Sequence, residues 1–371
     1  MASESSATPE GTRAYAEART REGVASQHFR EAQGLMLSSI GMGTYLGNHD
    51  EKTDNLYREA LVRAVELGAN VIDTAINYRC QRSERVVGEA LGVLARKGIT
   101  REQVVVATKG GFIPFDGAPP ANQGVYIQET FVSSGVLRPE ELAAGCHAMA
   151  PRYLEHQLER SRANLRLDTI DIYYVHNPET QLGEVPREEF QLRLRSAFEF
   201  LESAVAQGKI RFYGTATWNG FRQPPQAEDY LSLEAIVGLA REVGGDRHHF
   251  RFIQLPYSLA MSEAFTEWSQ TVNGKNGSLL QAAEELGLTV MSSASIQQGR
   301  LARGLPGWLG SVLPSLAADA QRAIQFVSST PGLTTALVGM KQKAHVEQNL
   351  AAARVPPASP EDFFRLFEVE K

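Results

Sequence analysis

Residues 67–78 read LGANVIDTAINY, and this stretch contains the pattern that decides the fold. A short turn, LGAN, leads directly into an apolar run, and the polar residues Asp73 and Tyr78 follow where a strand should end. A buried strand that is entered by a tight turn from a helix is typical of a parallel βα unit. The rest of the chain repeats this unit.

Short apolar or β-branched runs alternate with longer segments of helical period. The predicted strands are Leu37–Tyr45, Asn70–Ala75, Val104–Lys109, Thr169–His176, Ile210–Thr217, Phe250–Tyr257, Thr289–Ile296 and Thr334–Met340. The predicted helices lie near 53–67, 82–97, 151–165, 188–207, 228–243, 278–287, 319–329 and 342–352. This strict alternation predicts an α/β fold of parallel strands that are covered on both faces.

The connections differ in length at the two ends of the strands. Helix-to-strand turns are short, as in LRLDT (165–169) and GK (208–209), whereas strand-to-helix segments are long, above all 110–150. A closed (β/α)8 TIM barrel has its functional loops after the strand C-termini, so the asymmetry predicts such a barrel with long loops at that face. A doubly wound open sheet also alternates in this way and stays the structural alternative.

The composition excludes several classes of protein. The chain has 371 residues, 37 Lys+Arg, 43 Asp+Glu and a net charge of -6, so it lacks the basic footprint of a nucleic-acid-binding protein. No apolar run approaches the roughly 20 residues that span a bilayer, and the first residues lack the order of a secretory signal. We therefore expect a cytoplasmic protein without nucleic-acid or membrane partners. Association into a homo-oligomer stays open.

The sequence also predicts how the chain is divided. Residues 1–34 are polar and are expected to form a loosely held N-terminal extension, with residues 35–371 forming a single barrel domain. The two cysteines, Cys80 and Cys146, are too few for a disulfide framework and lack the partners of a metal cluster. No metal ion is therefore expected.

Four ionisable residues fall at or just past the ends of three neighbouring strands. Asp73 and Tyr78 follow the second strand, Lys109 ends the third in VVVATKGG, and His176 ends the fourth in DIYYVHNPE. A barrel brings such ends together at one mouth. Singly, these residues are more often a helix cap, a packing ring, a solvated lysine and a structural histidine. Together they predict a catalytic cluster.

Over roughly residues 36–352 the chain resembles the aldo-keto reductase family. The motifs that carry the resemblance are IGMGTY (40–45), NVIDTAINY (70–78), SERVVGEAL (83–91), VVVATKGG (104–111), IDIYYVHNPE (170–179), IRFYGTATW (210–218), FIQLPYS (252–258) and ALVGMKQKAHVEQNL (336–350). The resemblance implies an oxidoreductase that transfers a hydride between NADP(H) and a carbonyl or alcohol substrate. An aldehyde, a ketone or a sugar-like molecule would fit this role.

The family's catalytic tetrad falls on Asp73, Tyr78, Lys109 and His176. Reduction of a carbonyl leaves negative charge on oxygen, and Tyr78 is the implied general acid, or the base in the oxidative direction. Lys109 is expected to lower the pKa of Tyr78, Asp73 to hold the ammonium in an ion pair, and His176 to orient the substrate oxygen.

The resemblance also implies which residues bind the cofactor. They are Gly43, Thr44, Tyr45, Asp73, Ala216, Thr217, Gln254, Ser293, Ile296, Gln298, Gly299, Gly339, Lys341, His345, Gln348 and Asn349. Lys341, Lys343 and His345 cluster at the start of the last helix, where backbone N–H groups and the helix dipole favour an anion. This suits the 2′-phosphate of NADP, and NAD(H) stays open as the alternative.

The implied substrate-binding residues are Tyr45, Phe112 and Trp218, with segment 110–150 forming part of the substrate wall. Between Tyr78 and Ser83 the loop is two residues longer than the family's usual Tyr-Gly-x-Ser-Glu, and it contains Cys80. We expect this loop to differ in shape from that of its relatives.

Two positions at the implied nicotinamide site also depart from the family pattern. Ala216-Thr217 replaces the common Ser-Asn, so recognition of the nicotinamide carboxamide is expected to depend more on Gln254. Ser293 stands where the family has a stacking aromatic.

Two other functions stay open at this point. The same fold serves as a potassium-channel β-subunit, a nucleotide-sensing regulatory protein with little turnover, although an intact tetrad favours an enzyme. A phosphate-sugar isomerase or a metal-dependent lyase is a further barrel class, but it would not need Tyr78 beside Lys109.

Overall fold

The computed structural model describes residues 6–313 and 315–367. Its strands are β1 (Phe29–Ala32), β2 (Leu35–Ser38), β3 (Ile40–Gly43), β4 (Val71–Asp73), β5 (Val105–Gly110), β6 (Ile170–His176), β7 (Ile210–Ala216), β8 (Phe250–Pro256), β9 (Gln270–Val272), β10 (Lys275–Gly277), β11 (Thr289–Ser293) and β12 (Leu333–Gly339). A closed barrel is formed in the order β11-β12-β3-β4-β5-β6-β7-β8, with every neighbouring pair parallel. The predicted (β/α)8 barrel is confirmed.

The helices surround this barrel. They are α1 (Pro9–Arg21), α2 (Glu51–Glu66), α3 (Arg82–Arg96), α4 (Gln123–Ile127), α5 (Pro151–Leu165), α6 (Arg187–Ala206), α7 (Leu233–Gly244), α8 (Glu263–Thr266), α9 (Leu279–Glu285), α10 (Leu309–Val312), α11 (Asp319–Ser329), α12 (Lys343–Leu350) and α13 (Pro360–Phe364). In the part of the chain that the structure describes, every helix is too short or too polar to cross a membrane.

Periodicity explains why these segments form their elements. In α3, Val86, Val87, Ala90 and Leu94 are buried, which gives one apolar stripe at helical spacing. All seven residues of β6 are buried, because helices cover its outer face and side chains fill the barrel inside.

Two predicted element boundaries are wrong for local reasons. The predicted strand Leu37–Tyr45 is divided at Ser39 into β2, which pairs with β1 in an antiparallel hairpin, and β3, which belongs to the barrel. The helix predicted over 228–243 begins only at Leu233, because the Ser232 hydroxyl accepts the N–H of Ala235 and caps the first turn.

The expectation of a loosely held N-terminus is wrong for the residues that the structure describes from Ala7 onward. The N–H of Ala7 donates to the buried Asp171 carboxylate at 2.8 Å, and its carbonyl accepts from Arg211. In α1, Tyr15 is only 2% exposed and its hydroxyl donates to the carbonyl of Val65 in α2. Polar composition misled the prediction, because a few well-placed contacts suffice to fix the segment.

The β1–β2 hairpin closes the N-terminal end of the barrel. Leu35 and Leu37 are fully buried and belong to one apolar cluster with Val71 and Val105, which begin β4 and β5. With the N-terminal end closed, the C-terminal end is left for a functional site.

Segment 110–150 packs as an ordered wall over the C-terminal end of the barrel. It contains α4, which continues into a π-helical turn at Gln128–Val132. Phe131 is 1% exposed and forms a small apolar cluster with Ile113, Leu137 and Tyr153 of α5. The burial of such aromatic side chains offsets the entropy of ordering a segment of this length.

We expect Tyr15→Ala to lower the free energy of unfolding by about 3–5 kcal/mol, the range for removing a buried aromatic ring. Glu17→Ala, on the exposed side of the same helix, is the matched control and should change it by less than about 0.5 kcal/mol. Urea unfolding of both variants measures the difference. Equal, small effects would mean that α1 does not contribute to the fold.

Candidate active site

A buried ion pair lies at the C-terminal ends of β4 and β5. The Lys109 ammonium donates to Asp73 Oδ2 at 2.6 Å and to the carbonyl of Thr74 at 2.8 Å. Lys109 is 1% exposed and Asp73 4%. Burial lowers the pKa of Lys109, and the contact with Asp73 opposes that shift.

The second oxygen of Asp73 is also occupied. Gln254, on β8, donates its side-chain amide to Asp73 Oδ1 at 2.7 Å. The carboxylate therefore joins three strands that are distant in sequence. The NH2 group of Gln254, expected to face a cofactor, is directed at Asp73 in this structure.

Tyr78 lies in the turn that follows β4, and its ring packs against the ion pair. The Lys109 Nζ atom is 4.9 Å from the centroid of the Tyr78 ring. Burial raises the pKa of Tyr78 well above its usual value, and the charge of Asp73 raises it further. The net shift is therefore upward in the protein alone, with burial as its largest cause, and the effect expected of Lys109 on this pKa stays a prediction.

His176 ends β6 beside Tyr78, and the two ring centroids are 5.8 Å apart. Burial, with a smaller effect of the Lys109 charge, lowers the pKa of His176 well below 6.5, so the imidazole is neutral. Its Nδ1 atom is buried and has no hydrogen-bond partner among the residues that the structure describes. A neutral imidazole has one N–H donor and one acceptor nitrogen.

His147, in the wall segment, holds the backbone of His176. Its Nε2–H donates to the carbonyl of His176 at 2.7 Å, while its Nδ1 accepts from Gln181 at 2.9 Å. Burial lowers the pKa of His147 to about 4, which keeps this arrangement neutral. Phe112 packs edge-on against both imidazoles, with centroid distances of 5.1 and 5.0 Å.

A cavity of about 500 Å³ opens over these groups. Most of the sequence-predicted site residues line it, with Lys109 directly behind: Gly43, Thr44, Tyr45, Asp73, Tyr78, Phe112, His176, Ala216, Thr217, Trp218, Gln254, Ser293, Ile296, Gln298 and Gly339. The sequence reasoning missed other lining residues: Leu46, Asn77, Asn177, Ala294, Ser295 and Leu337. Asn77 directly precedes Tyr78, and Asn177 directly follows His176. Their position next to predicted catalytic residues could have identified them as lining residues.

The remaining predicted cofactor residues lie outside this lining. Gly299 follows it in the loop after β11, and Lys341, His345, Gln348 and Asn349 lie on or beside α12. Lys341 is half-buried and His345 exposed. Lys343, which the sequence grouped with them, lines a separate surface groove formed with residues of α2 and α3.

The longer loop after Tyr78 has an unusual backbone. Arg79, Cys80 and Gln81 adopt three consecutive positive φ angles, of 50°, 55° and 68°. Arg79 is buried and bonds Asp54 of α2 at 2.5 Å, which anchors the loop. Burial raises the pKa of Cys80, so this thiol is less reactive than an exposed one.

The described residues contain no cluster of three or more His, Cys, Asp or Glu side chains that could hold a metal ion. Among the polar groups of the cavity, Tyr78 and His176 are two proton-bearing side chains that lie beside the buried Asp73–Lys109 ion pair. This arrangement can donate hydrogen bonds to an oxygen atom and transfer a proton to it.

Three comparisons place the chain among known proteins. It is 23% identical to a putative voltage-gated potassium channel subunit beta of Schizosaccharomyces pombe, over 92% of each chain. It is 24% identical to a 6-dehydroglucose reductase of Novosphingobium aromaticivorans, over 87% of this chain and 88% of the other. A Klebsiella pneumoniae aldo/keto reductase crystallised with NADP and acetate superposes with a TM-score of 0.61 at 23% identity, covering 93% and 96% of the chains.

The family assignment rests on more than half of the chain. The family model described as "Aldo/keto reductase family" matches residues 39–235, which extend from the start of the barrel into α7. The matched region contains all four residues of the cluster at the cavity floor. The chain belongs to the aldo/keto reductase family.

Proposed function

We propose that this oxidoreductase transfers a hydride between NADP(H) and a small carbonyl or alcohol substrate, with Tyr78 as general acid and base. One observation supports this most strongly: Tyr78 and His176 face the same cavity, and the buried Asp73–Lys109 pair lies directly behind them. A sugar-like substrate, an aldehyde or a ketone would each present the oxygen that this arrangement can bind.

The chain's own residues handle the oxygen and its proton. A bound nicotinamide dinucleotide supplies the hydride. The neutral His176 imidazole donates its N–H to the substrate oxygen and orients it towards the phenol. Tyr78, which burial keeps protonated in the protein alone, donates its proton as negative charge develops on that oxygen. In the oxidative direction Tyr78 accepts the proton of the alcohol.

The backbone beside the cavity fits a dinucleotide. Gly43 and Gly339 are register partners on β3 and β12, and both line the cavity. A Cβ added at Gly43 would lie 3.7 Å from the backbone N of Gly339 and occupy space that is now open. After β11, positive φ angles at residues 294 and 297–299 form a tight loop of backbone at the cavity edge. Such loops suit the approach of a pyrophosphate.

The adenosine end of NADP(H) is proposed to reach α12. Lys341 and His345 lie at the start of this helix, where the dipole favours a phosphate group, and Asn349 is buried one turn further on. Lys343 faces another groove, so we assign it no part in holding the 2′-phosphate. NAD(H) remains the alternative cofactor.

The proposed substrate lies between Tyr45, Phe112 and Trp218, whose aromatic rings line the cavity beside the catalytic pair. Tyr45 and Trp218 are 57% and 48% exposed, so both rings are available to contact a ligand. A cytoplasmic location and a single domain over 35–371 stay predictions. The free thiols of Cys80 and Cys146 support the first.

The similarity to the fission yeast protein favours a second candidate, a nucleotide-binding regulatory subunit with little turnover. The two functions differ in a measurable way. An enzyme oxidises NADPH in step with carbonyl reduction, whereas a regulatory subunit binds NADPH tightly without turnover. A panel of aldehydes, ketones and sugars, followed by NADPH absorbance with NADH in parallel, distinguishes them.

We expect Lys109→Met to lower the free energy of unfolding by about 3–5 kcal/mol, because it leaves the buried Asp73 carboxylate without its cation. Asp73→Asn/Lys109→Met should cost less than Lys109→Met alone, since an amide oxygen still accepts from Gln254. Denaturant unfolding of the wild type, Asp73→Asn, Lys109→Met and the double variant measures this. A double variant that loses the sum of the single losses would contradict the coupling.

We expect Tyr78→Phe to lower kcat by about 10²–10⁴-fold and to leave the Kd for NADPH unchanged, because the phenol supplies the proton and does not hold the dinucleotide. Tyr230→Phe is the matched control, since its hydroxyl bonds the carbonyl of Ser269 outside the cavity. Steady-state kinetics and fluorescence titration provide both values. Near wild-type kcat in Tyr78→Phe would remove Tyr78 from the proposed role.

A further inference from the structure

A buried carboxyl group ties together the two strand ends that carry His176 and Trp218. Glu179 lies in the turn Pro178–Gly183 after β6 and is 6% exposed. Its Oε1 atom accepts the backbone N–H groups of Trp218 at 2.7 Å, Asn219 at 3.1 Å and Gly220 at 3.4 Å. One side-chain oxygen thus accepts hydrogen bonds from three consecutive N–H groups in the loop after β7.

No basic side chain within the described residues forms an ion pair with Glu179. Its other oxygen, Oε2, is buried and has no hydrogen-bond partner within 6–313 and 315–367. Burial raises the pKa of Glu179, and the three N–H groups oppose that shift. Burying a carboxyl group with one unpartnered oxygen is costly. The contact with the 218–220 backbone is the compensation that the structure shows.

Trp218 is the first of the three residues whose N–H groups Glu179 binds, and its side chain lines the cavity. It is 48% exposed, and the described residues place neither a stacking ring nor a cation on it. The backbone carbonyl of Trp218 accepts from Arg222 at 3.1 Å. The preceding residue, Thr217, donates its N–H to the carbonyl of Gln254 at 2.8 Å, and Glu179 binds the next three N–H groups.

Glu179 is also close in sequence to His176, at the catalytic end of the cavity. Asn177, between His176 and Pro178, donates its N–H to the carbonyl of Ala216 at 2.6 Å. Glu179 therefore continues a chain of contacts from β6 to the end of β7. His176 and Trp218, which line the same cavity, are held at a set separation by this short path.

We propose that Glu179 is a positioning residue that holds the Trp218 indole over the substrate end of the cavity and so sets the affinity for substrates that pack on this ring. The proposal deepens the proposed function, because it assumes that this end of the cavity receives the carbonyl compound. A bulky aromatic aldehyde depends on the indole. A two-carbon aldehyde is too small to need it.

The first test measures the fluorescence of the Trp218 indole and does not require enzymatic turnover. In a Trp268→Phe/Trp308→Phe background, Trp218 is the only tryptophan, and acrylamide quenching measures how freely the indole is reached. We expect Glu179→Ala to shift the emission and raise the quenching constant. Glu184→Ala, in the same connection but bonded to Ala144, is the control and should change neither. Unchanged emission and quenching in Glu179→Ala would overturn the proposal.

Two further variants distinguish the effect of the length of the Glu179 side chain from the effect of its charge. Glu179→Gln keeps an acceptor oxygen at the same distance and should restore the wild-type quenching. Glu179→Asp keeps the charge but withdraws the oxygen by one methylene, so it should resemble Glu179→Ala. If Glu179→Ala fails to fold, the test is the comparison of quenching between Glu179→Asp and Glu179→Gln. Identical quenching in these two variants would overturn the proposal.

The second test uses kinetics with NADPH. We expect Glu179→Ala to raise the KM for benzaldehyde about tenfold, to leave the KM for acetaldehyde unchanged, and to leave the Kd for NADPH unchanged. In a Trp218→Ala background, Glu179→Ala should raise the KM for benzaldehyde no further. Independent, multiplying effects would overturn the proposal. A different outcome would contradict the proposed function alone. In that case Glu179→Ala changes the quenching of Trp218, but the wild type reduces none of the carbonyl compounds.

Discussion

The contact between the Asp73 carboxylate and the Lys109 ammonium is the interaction on which the rest of the site depends. Two opposite charges, both nearly inaccessible to water, are stable only if they pair closely and form further hydrogen bonds, because the loss of hydration is large. The 2.6 Å contact, the Thr74 carbonyl and the Gln254 amide meet this requirement. They also fix the ends of β4, β5 and β8 relative to one another.

The same lack of water keeps Tyr78 and His176 neutral. Burial raises the pKa of Tyr78, so the phenol stays protonated. Burial lowers the pKa of His176, so the imidazole does not take up a second proton. The cavity thus presents the neutral groups of Tyr78 and His176 next to the buried ion pair, of which Asp73 lines the cavity and Lys109 does not. A developing negative charge on a substrate oxygen would meet the Tyr78 proton donor, while the Asp73 carboxylate is held by Lys109 and Gln254.

The sequence predicted the barrel well because its signals are local and periodic. Buried strands, short turns into them and polar residues at their ends can each be read within about ten residues, and they identified the four members of the cluster. Contacts between distant segments could not be read in this way. Examples are the amide of Gln254 on Asp73, the anchoring of Ala7 by Asp171, and the three N–H groups on Glu179. The net upward shift of the Tyr78 pKa could not be predicted either, because its largest cause is burial, and burial cannot be judged from a motif.

The most direct measurement is a crystal structure of the protein grown with NADP⁺ and without substrate. We expect the nicotinamide ring in the cavity beside Tyr78 and His176, the pyrophosphate against residues 294–299, and the adenosine near α12. The Lys109–Asp73 contact should persist in that complex. A dinucleotide bound elsewhere on the barrel, or a nicotinamide that does not approach Tyr78, would contradict the assignment of this cavity as the site of hydride transfer.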